Sequence, residues 1–174
     1  MINNALGLQD EAALRDDLLL RFPEDVVEDL RKGYSGFIVQ PARLIDVATY
    51  IRDELGYDYL SSVTGVDYIN DDRMEVVYHC FKSTGGPALV YKVQVHRQSP
   101  VIPSLVSVYR GAEFQEREAW DLFGIHFEGH PDLRRILMWE GFAGHPLRKD
   151  WQEPYFEEET KPFKSRWPDG HVWR

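Results

Sequence analysis

The stretch Ala112–Asp150, AEFQEREAWDLFGIHFEGHPDLRRILMWEGFAGHPLRKD, passes from good helix formers into a loop punctuated by glycine and proline. From Gly111 to Leu122 there is no internal glycine or proline, and Gly124 stands just past the end, so a helix is expected there. Ala112, Glu116, Ala119, Trp120 and Phe123 share one face by three- and four-residue steps. That face is apolar except for Glu116, whose carboxylate is costly to bury unless it is paired or hydrogen-bonded. The alternative is a slight turn of the helix that leaves Glu116 at the rim. On the opposite face Glu113, Arg117 and Asp121 lie four apart, so Arg117 is expected to pair in both directions. The cluster is arranged to orient and lock rather than to react.

Upstream, residues 9–21 place Ala12, Leu14, Leu18 and Leu19 on one side of an amphipathic helix that Pro23 ends. Phe37-Ile38-Val39 reads as a short strand. Residues 42–55 form the clearest helix, with Leu44, Val47, Ala48, Ile51 and Leu55 on the buried side, Pro41 at its first turn and Gly56 as its stop. Residues 57–69 are aromatic and β-branched, and Asn70-Asp71-Asp72 reverses the chain. Alternation then runs through residues 73–81 and 88–96, joined by a turn at 83–87, as in antiparallel hairpins with one wet face. Pro100 and Pro103 are expected to break the sheet before a last short segment, Leu105–Val108. The expected fold class is α+β: two layers, helices packed on a mostly antiparallel mixed sheet, with a long extended C-terminal arm. The domain covers residues 1–137 and the arm 138–174.

The arm is inferred from composition. Beyond Met138 periodicity stops, prolines recur at Pro146, Pro154, Pro162 and Pro168, and large rings crowd in. A solvated tail is normally poor in aromatics, so Trp139, Phe142, Trp151, Tyr155, Phe156, Phe163, Trp167 and Trp173 are expected to anchor a strip laid over another protein. Folding back on the arm's own domain is the alternative. Glu157-Glu158-Glu159 reads as a solvated face, the alternative being contact with a basic patch on the partner.

The net charge of −9 argues against a nucleic-acid binder or a basic membrane patch. No apolar run approaches the roughly 18 residues needed to cross a bilayer. The acidic N-terminus is unlike a secretory signal or an arginine-rich transit peptide. Cys80, the only cysteine, excludes an internal disulfide and suits a reducing cytosol. One thiol does not assemble an iron–sulfur cluster or a cysteine zinc site, and within its alternating strand Cys80 reads as a small buried hydrophobe.

Chemical motifs are sparse. There is no GxxxxGK, no GxGxxG after a strand and no GxSxG. His126 and His130 lie four apart, but Gly124, Gly129 and Pro131 argue against the helix that would align them on a metal, and only Glu128 or Asp132 offers a third ligand. Glu116, Glu118 and Asp121 resemble acid–base carboxylates, yet each has a nearer ion-pairing explanation. Arg134-Arg135 and Arg148-Lys149 stand out in an acidic chain and are expected to bridge to a neighbouring chain, a solvated face being the alternative.

Glu116-Arg117-Glu118, Asp121-Leu122-Phe123-Gly124-Ile125, Gly129-His130-Pro131, Arg134-Arg135-Ile136-Leu137 and His145-Pro146-Leu147-Arg148-Lys149-Asp150 closely resemble the 30-kDa subunit family. That family is the C subunit of the proton-pumping NADH:quinone oxidoreductase, respiratory complex I. The resemblance is nearly continuous over residues 112–151, looser over Pro41–Arg110 and weak at both ends; Phe114 stands where a tryptophan is expected. It implies a non-redox structural subunit in the hydrophilic arm of a translocase, peripheral on the cytoplasmic side of the bacterial plasma membrane. FMN and Fe–S clusters would reside on partner subunits. The foremost partner would be the large quinone-site subunit, D, with the cluster-bearing subunits B and I nearby. No catalytic, cofactor or metal site is expected on this chain. The partner-interface candidates are Glu116, Arg117, Glu118 and Asp121 on the helix, then His130, Arg134, Arg135, His145, Arg148, Lys149 and Asp150, and the rings Trp139, Trp151, Tyr155, Phe156, Trp167 and Trp173. The rivals are the equivalent subunit of a membrane-bound hydrogenase or of a ferredoxin-driven photosynthetic complex, and a free-standing enzyme built on the 116–130 carboxylate and histidine cluster.

Overall fold

A computed structural model describes residues 13–152. Helix α1, described over residues 13–21, buries Leu18 and ends as Phe22 N–H closes on Leu18 O at 3.0 Å ahead of Pro23. Strands β1 (Val26–Glu28) and β2 (Phe37–Val39) form an antiparallel pair. Pro41–Arg43 makes a single 3-10 turn that feeds α2 (Leu44–Asp53). The buried side of α2 is Leu44, Val47, Ala48 and Ile51, each at most 1% exposed. Full burial of each larger aliphatic side chain contributes about 1.5–3 kcal/mol, so this stripe glues the helix to the sheet.

The sheet is completed by β3 (Tyr59–Tyr68), β4 (Arg73–Phe81) and β5 (Leu89–His96), two consecutive antiparallel pairs. Strand order is β1-β2-β5-β4-β3, and β2 runs parallel to β5 with Phe37 opposite Tyr91. At that junction Gly36 (φ +97°) lies so close to β5 that a Cβ would sit 2.8 Å from the carbonyl carbon of Val90. The sheet is therefore mixed and mostly antiparallel, as expected of the α+β class.

A second, two-stranded parallel sheet joins β6 (Val101–Pro103) to β7 (His126–Glu128). Two expectations change here. Pro103 lies within a strand instead of breaking one, and residues 105–108 form a turn, with Val108 and Tyr109 N–H groups both donating to Leu105 O. Proline is tolerated because β6 is an edge strand of only three residues. Helix α3 (Ala112–Phe123) crosses β3, and Phe123 packs over Gly65, where a Cβ would be 2.7 Å from the ring. Among the described residues no helix is long and apolar enough to cross a membrane.

Candidate functional site

Helix α3 carries two buried carboxylates with opposite environments. Glu116 is fully buried in the apolar stripe; it does not sit at the rim. Its Oε2 accepts the Ser104 hydroxyl at 2.6 Å and its Oε1 the Leu105 N–H at 2.7 Å. Burial pushes its pKa up to about 7, against the pull of those two donors.

Asp121, further along the helix, is also fully buried, yet it is held below the usual carboxylate range. Burial works to raise it, but four donors outweigh that. Oδ2 accepts the backbone N–H groups of Ile136, Leu137 and Met138 at 3.1, 2.8 and 2.9 Å, and Oδ1 lies 2.5 Å from Arg135 Nη1. Three successive amides aimed at one oxygen form a backbone anion nest.

Arg135 then spreads its other bonds to the carbonyls of Phe142 (2.9 Å) and Gly144 (3.1 Å), its guanidinium 5.8 Å from the Trp120 ring and 5.6 Å from the Phe142 ring. Arg117 does not pair with Glu113 and Asp121 as their spacing suggested. Asp121 is taken by Arg135, and Arg117 donates to the carbonyls of Arg134 (3.2 Å) and Arg135 (3.3 Å). Both arginines thus pin the chain after β7 against α3.

The following residues close the same way. His130 Nε2 faces Glu113 O at 3.0 Å while its Nδ1 accepts the Asp132 N–H, which assigns the proton to Nε2. His145 Nδ1 donates to Asp121 O at 2.9 Å, and its ring lies against Gly124, whose φ of +75° ends the helix. Arg148 donates to Phe123 O (2.9 Å) and Arg97 O (2.7 Å). Arg97 grips Asp67 through two bonds (2.7 and 2.9 Å) and also reaches Asp150, while Lys149 N–H bonds Asp67 Oδ2 at 2.8 Å. Arg135 and Arg148, expected to bridge to a neighbour, are therefore occupied within the chain; Arg134, Lys149 and Glu118 are exposed.

Residues 138–152, assigned by composition to the arm, pack on the domain. Phe142 is buried, Trp139 meets it edge-on at 4.7 Å, and Trp151 stacks on it at 5.7 Å and donates to Ala143 O. Tyr155, Phe156, Trp167 and Trp173 lie outside the described residues.

The arrangement ties its buried charged groups internally and turns several apolar ones outward: Leu137, Trp139 and Leu147 are 55%, 53% and 48% exposed. Among the described residues no group of three or more His, Cys, Asp or Glu could hold a metal. An open groove among the described residues, between α1, Gly36 and the Gly85–Val90 segment, is lined by none of the residues of the 112–150 stretch.

The family described as "Respiratory-chain NADH dehydrogenase, 30 Kd subunit" matches residues 37–157. The chain belongs to this family. The C subunit of NADH-quinone oxidoreductase from Roseiflexus sp. (strain RS-1) is 41% identical over 81% of this chain and 83% of its own length. The subunit of the same name from Roseiflexus castenholzii is 48% identical, over 68% and 70%. Among solved structures, a trypsin-resistant fragment of Nqo5 is 25% identical, with a TM-score of 0.58 over 71% of this chain and 99% of the fragment. A chain of the archaeal membrane-bound sulfane sulfur reductase has the same fold, with a TM-score of 0.70 over 88% of this chain and 99% of its own at 20% identity.

This member of the 30-kDa family holds a second buried charge cluster that sequence patterning barely hints at. On the sheet face away from α3, Asp29 takes Lys92 Nζ at 2.5 Å and Arg31 Nη2 at 2.6 Å, and Arg31 goes on to Glu75 at 2.9 Å. Arg31, then burial working against it, then Lys92 set the Asp29 carboxyl, which ends well below the usual range. The only advance signal is that Glu75 and Lys92 alternate onto one face of neighbouring strands.

Proposed function

We propose that this chain is a structural subunit of the hydrophilic arm of NADH:quinone oxidoreductase, a translocase, and that it carries no active site of its own. Membership of the 30-kDa family supplies the complex. The observation that carries the structural role is the division of labour in residues 112–151: Glu116, Arg117, Asp121, His130, Arg135, His145 and Arg148 are committed to internal bonds, while Leu137, Trp139 and Leu147 face outward from a backbone pinned by Asp121. A surface of that kind binds protein rather than substrate.

In this reading the exposed ledge and the residues beyond Gln152 embrace the large quinone-site subunit, with the cluster-bearing subunits B and I nearby. FMN and the iron–sulfur clusters belong to partner chains, and the whole lies peripherally on the cytoplasmic side of the bacterial plasma membrane. The chain contributes rigidity, since electron transfer and quinone chemistry need fixed distances. Purification of the assembled complex through a tag on this chain, followed by mass spectrometry and flavin and iron assay, tests it. The expected result is a multi-chain preparation with both cofactors, against a cofactor-free isolated subunit. A lone chain that binds flavin or turns over NADH unaided would sink the proposal.

A further inference from the structure

Glu116 is the one fully buried carboxylate on α3 that faces no cation. Its two bonds come from a hydroxyl and an amide, and among the described residues it joins no ion pair. A carboxylate has about four acceptor sites, so half of its capacity is unused in a dry setting where charge is expensive.

The groups that surround it are neutral or already engaged. From β4, the Tyr78 hydroxyl is fully buried and makes no hydrogen bond, and Cys80 lies beyond it against Tyr91 of β5. From the turn before α3, Tyr109 donates to Tyr57 O. On β3, Asp67 is closed off by Arg97. On α3 itself Arg117 points to the 134–135 carbonyls, and the Glu113 carbonyl is taken by His130. Tyr78, Tyr91, Tyr109 and Cys80 all have pKa values raised by burial, so each keeps its proton around neutrality. Tyr78 feels the charge of Glu116 more than that of any other group.

The two donors also matter as structure. Ser104 is at once tied to β7, its N–H reaching Glu128 O at 2.8 Å, and acts as a cap, its Oγ accepting Val106 N–H at 3.2 Å. Leu105 starts the turn that carries the chain into α3. Glu116 therefore fastens the middle of α3 to the junction between the small sheet and the helix's own entry turn.

We propose that Glu116 is a protonation latch: ionised, it grips the Ser104–Leu105 turn through charge-assisted bonds, and protonated, it loosens that grip. The chemistry is a single proton taken up by the carboxylate from water and returned to it, with no other covalent bond made or broken. The burial-raised pKa of about 7 sets where the latch turns over.

The sign follows from linkage. The folded state binds this proton below about pH 7, the unfolded chain only near 4.5. Between those values folding takes up a proton, so this group's share of stability is greatest at acid pH and falls as pH rises towards 7. The local grip runs the other way and is tightest above 7.

The latch does not depend on which complex holds the chain, and the full-length chain suffices to test it. Carboxyl carbon NMR of glutamate-labelled protein should show one glutamate titrating near pH 7, absent in Glu116→Gln. Hydrogen exchange at the Leu105 amide, corrected for intrinsic rate, should slow roughly tenfold through the same midpoint, the difference between neutral and charge-assisted acceptors. If Glu116→Gln fails to fold, Ser104→Ala decides: losing a donor that favours the ionised form must raise the midpoint. A glutamate that titrates near its ordinary 4.5, or a midpoint that Ser104→Ala leaves in place or lowers, overturns the latch.

Discussion

Asp121 and Arg135 meet at 2.5 Å on the buried side of α3, and the same carboxylate caps three successive backbone amides of the loop that delivers the arginine. One side chain thereby fixes both ends of its own clamp. Asp121→Asn leaves a largely buried guanidinium without its counter-charge, and should cost about 3–5 kcal/mol, read by urea unfolding. The pH dependence has a definite sign. The folded pKa lies below 3.8, since the amides and Arg135 outweigh a leading desolvation cost, so the stabilisation is complete above the unfolded value and is lost as pH falls through the folded one. The wild-type advantage over Asp121→Asn should therefore shrink in acid.

Gly124 and Gly129 separate two costs that usually come together. Both are left-handed, at φ +75° and +79°, so alanine at either should lose about 1–2 kcal/mol from backbone strain. At Gly124 the new Cβ would also lie 2.6 Å from His145 Cδ2, whereas at Gly129 it meets nothing within 4 Å. Gly124→Ala should be clearly the worse, and the His145–Asp121 bond should break with it. Equal losses in thermal unfolding would show that His145 gives way freely.

Arg97 holds Asp67 and Asp150 together, so Arg97→Lys keeps the charge but loses the planar fork. The expected loss is about 1.5–3 kcal/mol, concentrated where residues 148–150 dock. Limited trypsin digestion should cut at Arg148 or Lys149 sooner in the variant. Unchanged cleavage would mean that Arg148 alone secures the docking.

Cys80 is fully buried, and desolvation pushes its thiol pKa up to about 11. Thiolate is the reactive form, so the native chain should resist a thiol reagent at neutral pH and react fully in denaturant. Rapid labelling of the folded protein would contradict this burial.

Deletion of residues 152–174 should weaken assembly of the complex yet leave the α+β domain folded. Trp139→Ala removes a half-exposed ring and should weaken assembly while thermal unfolding changes less than in Asp121→Asn. Normal assembly of both variants would remove the clamp role from this side of the molecule.

Local chemistry was legible and long-range chemistry was not. The alternation of β4 and β5, the stripe of α2 and the span of α3 follow from periodicity, and even the oddity of Glu116 showed as a charge in an apolar row. The partners of that charge did not, because Ser104 lies before a turn that read only as a short segment. Arg117 looked satisfied by its helical neighbours, but carbonyls 17 and 18 residues on proved the better acceptors. Strands β1, β6 and β7, each three residues, are too short to show a period. Composition left residues 138–152 between a partner's surface and their own domain, because nothing local reveals that Phe142 has a seat beside Arg135.

The parallel seam between β2 and β5 sets an order on synthesis. Phe37 and Val39 leave the ribosome long before Tyr91 and Val93, the residues that lie opposite them. Until the hairpin partner emerges, the nascent N-terminal third has an unclosed margin with backbone groups ready to pair wrongly. The chain must emerge to about His96 before that margin can close, so a pause that comes before this emergence would prolong the interval in which a chaperone is needed.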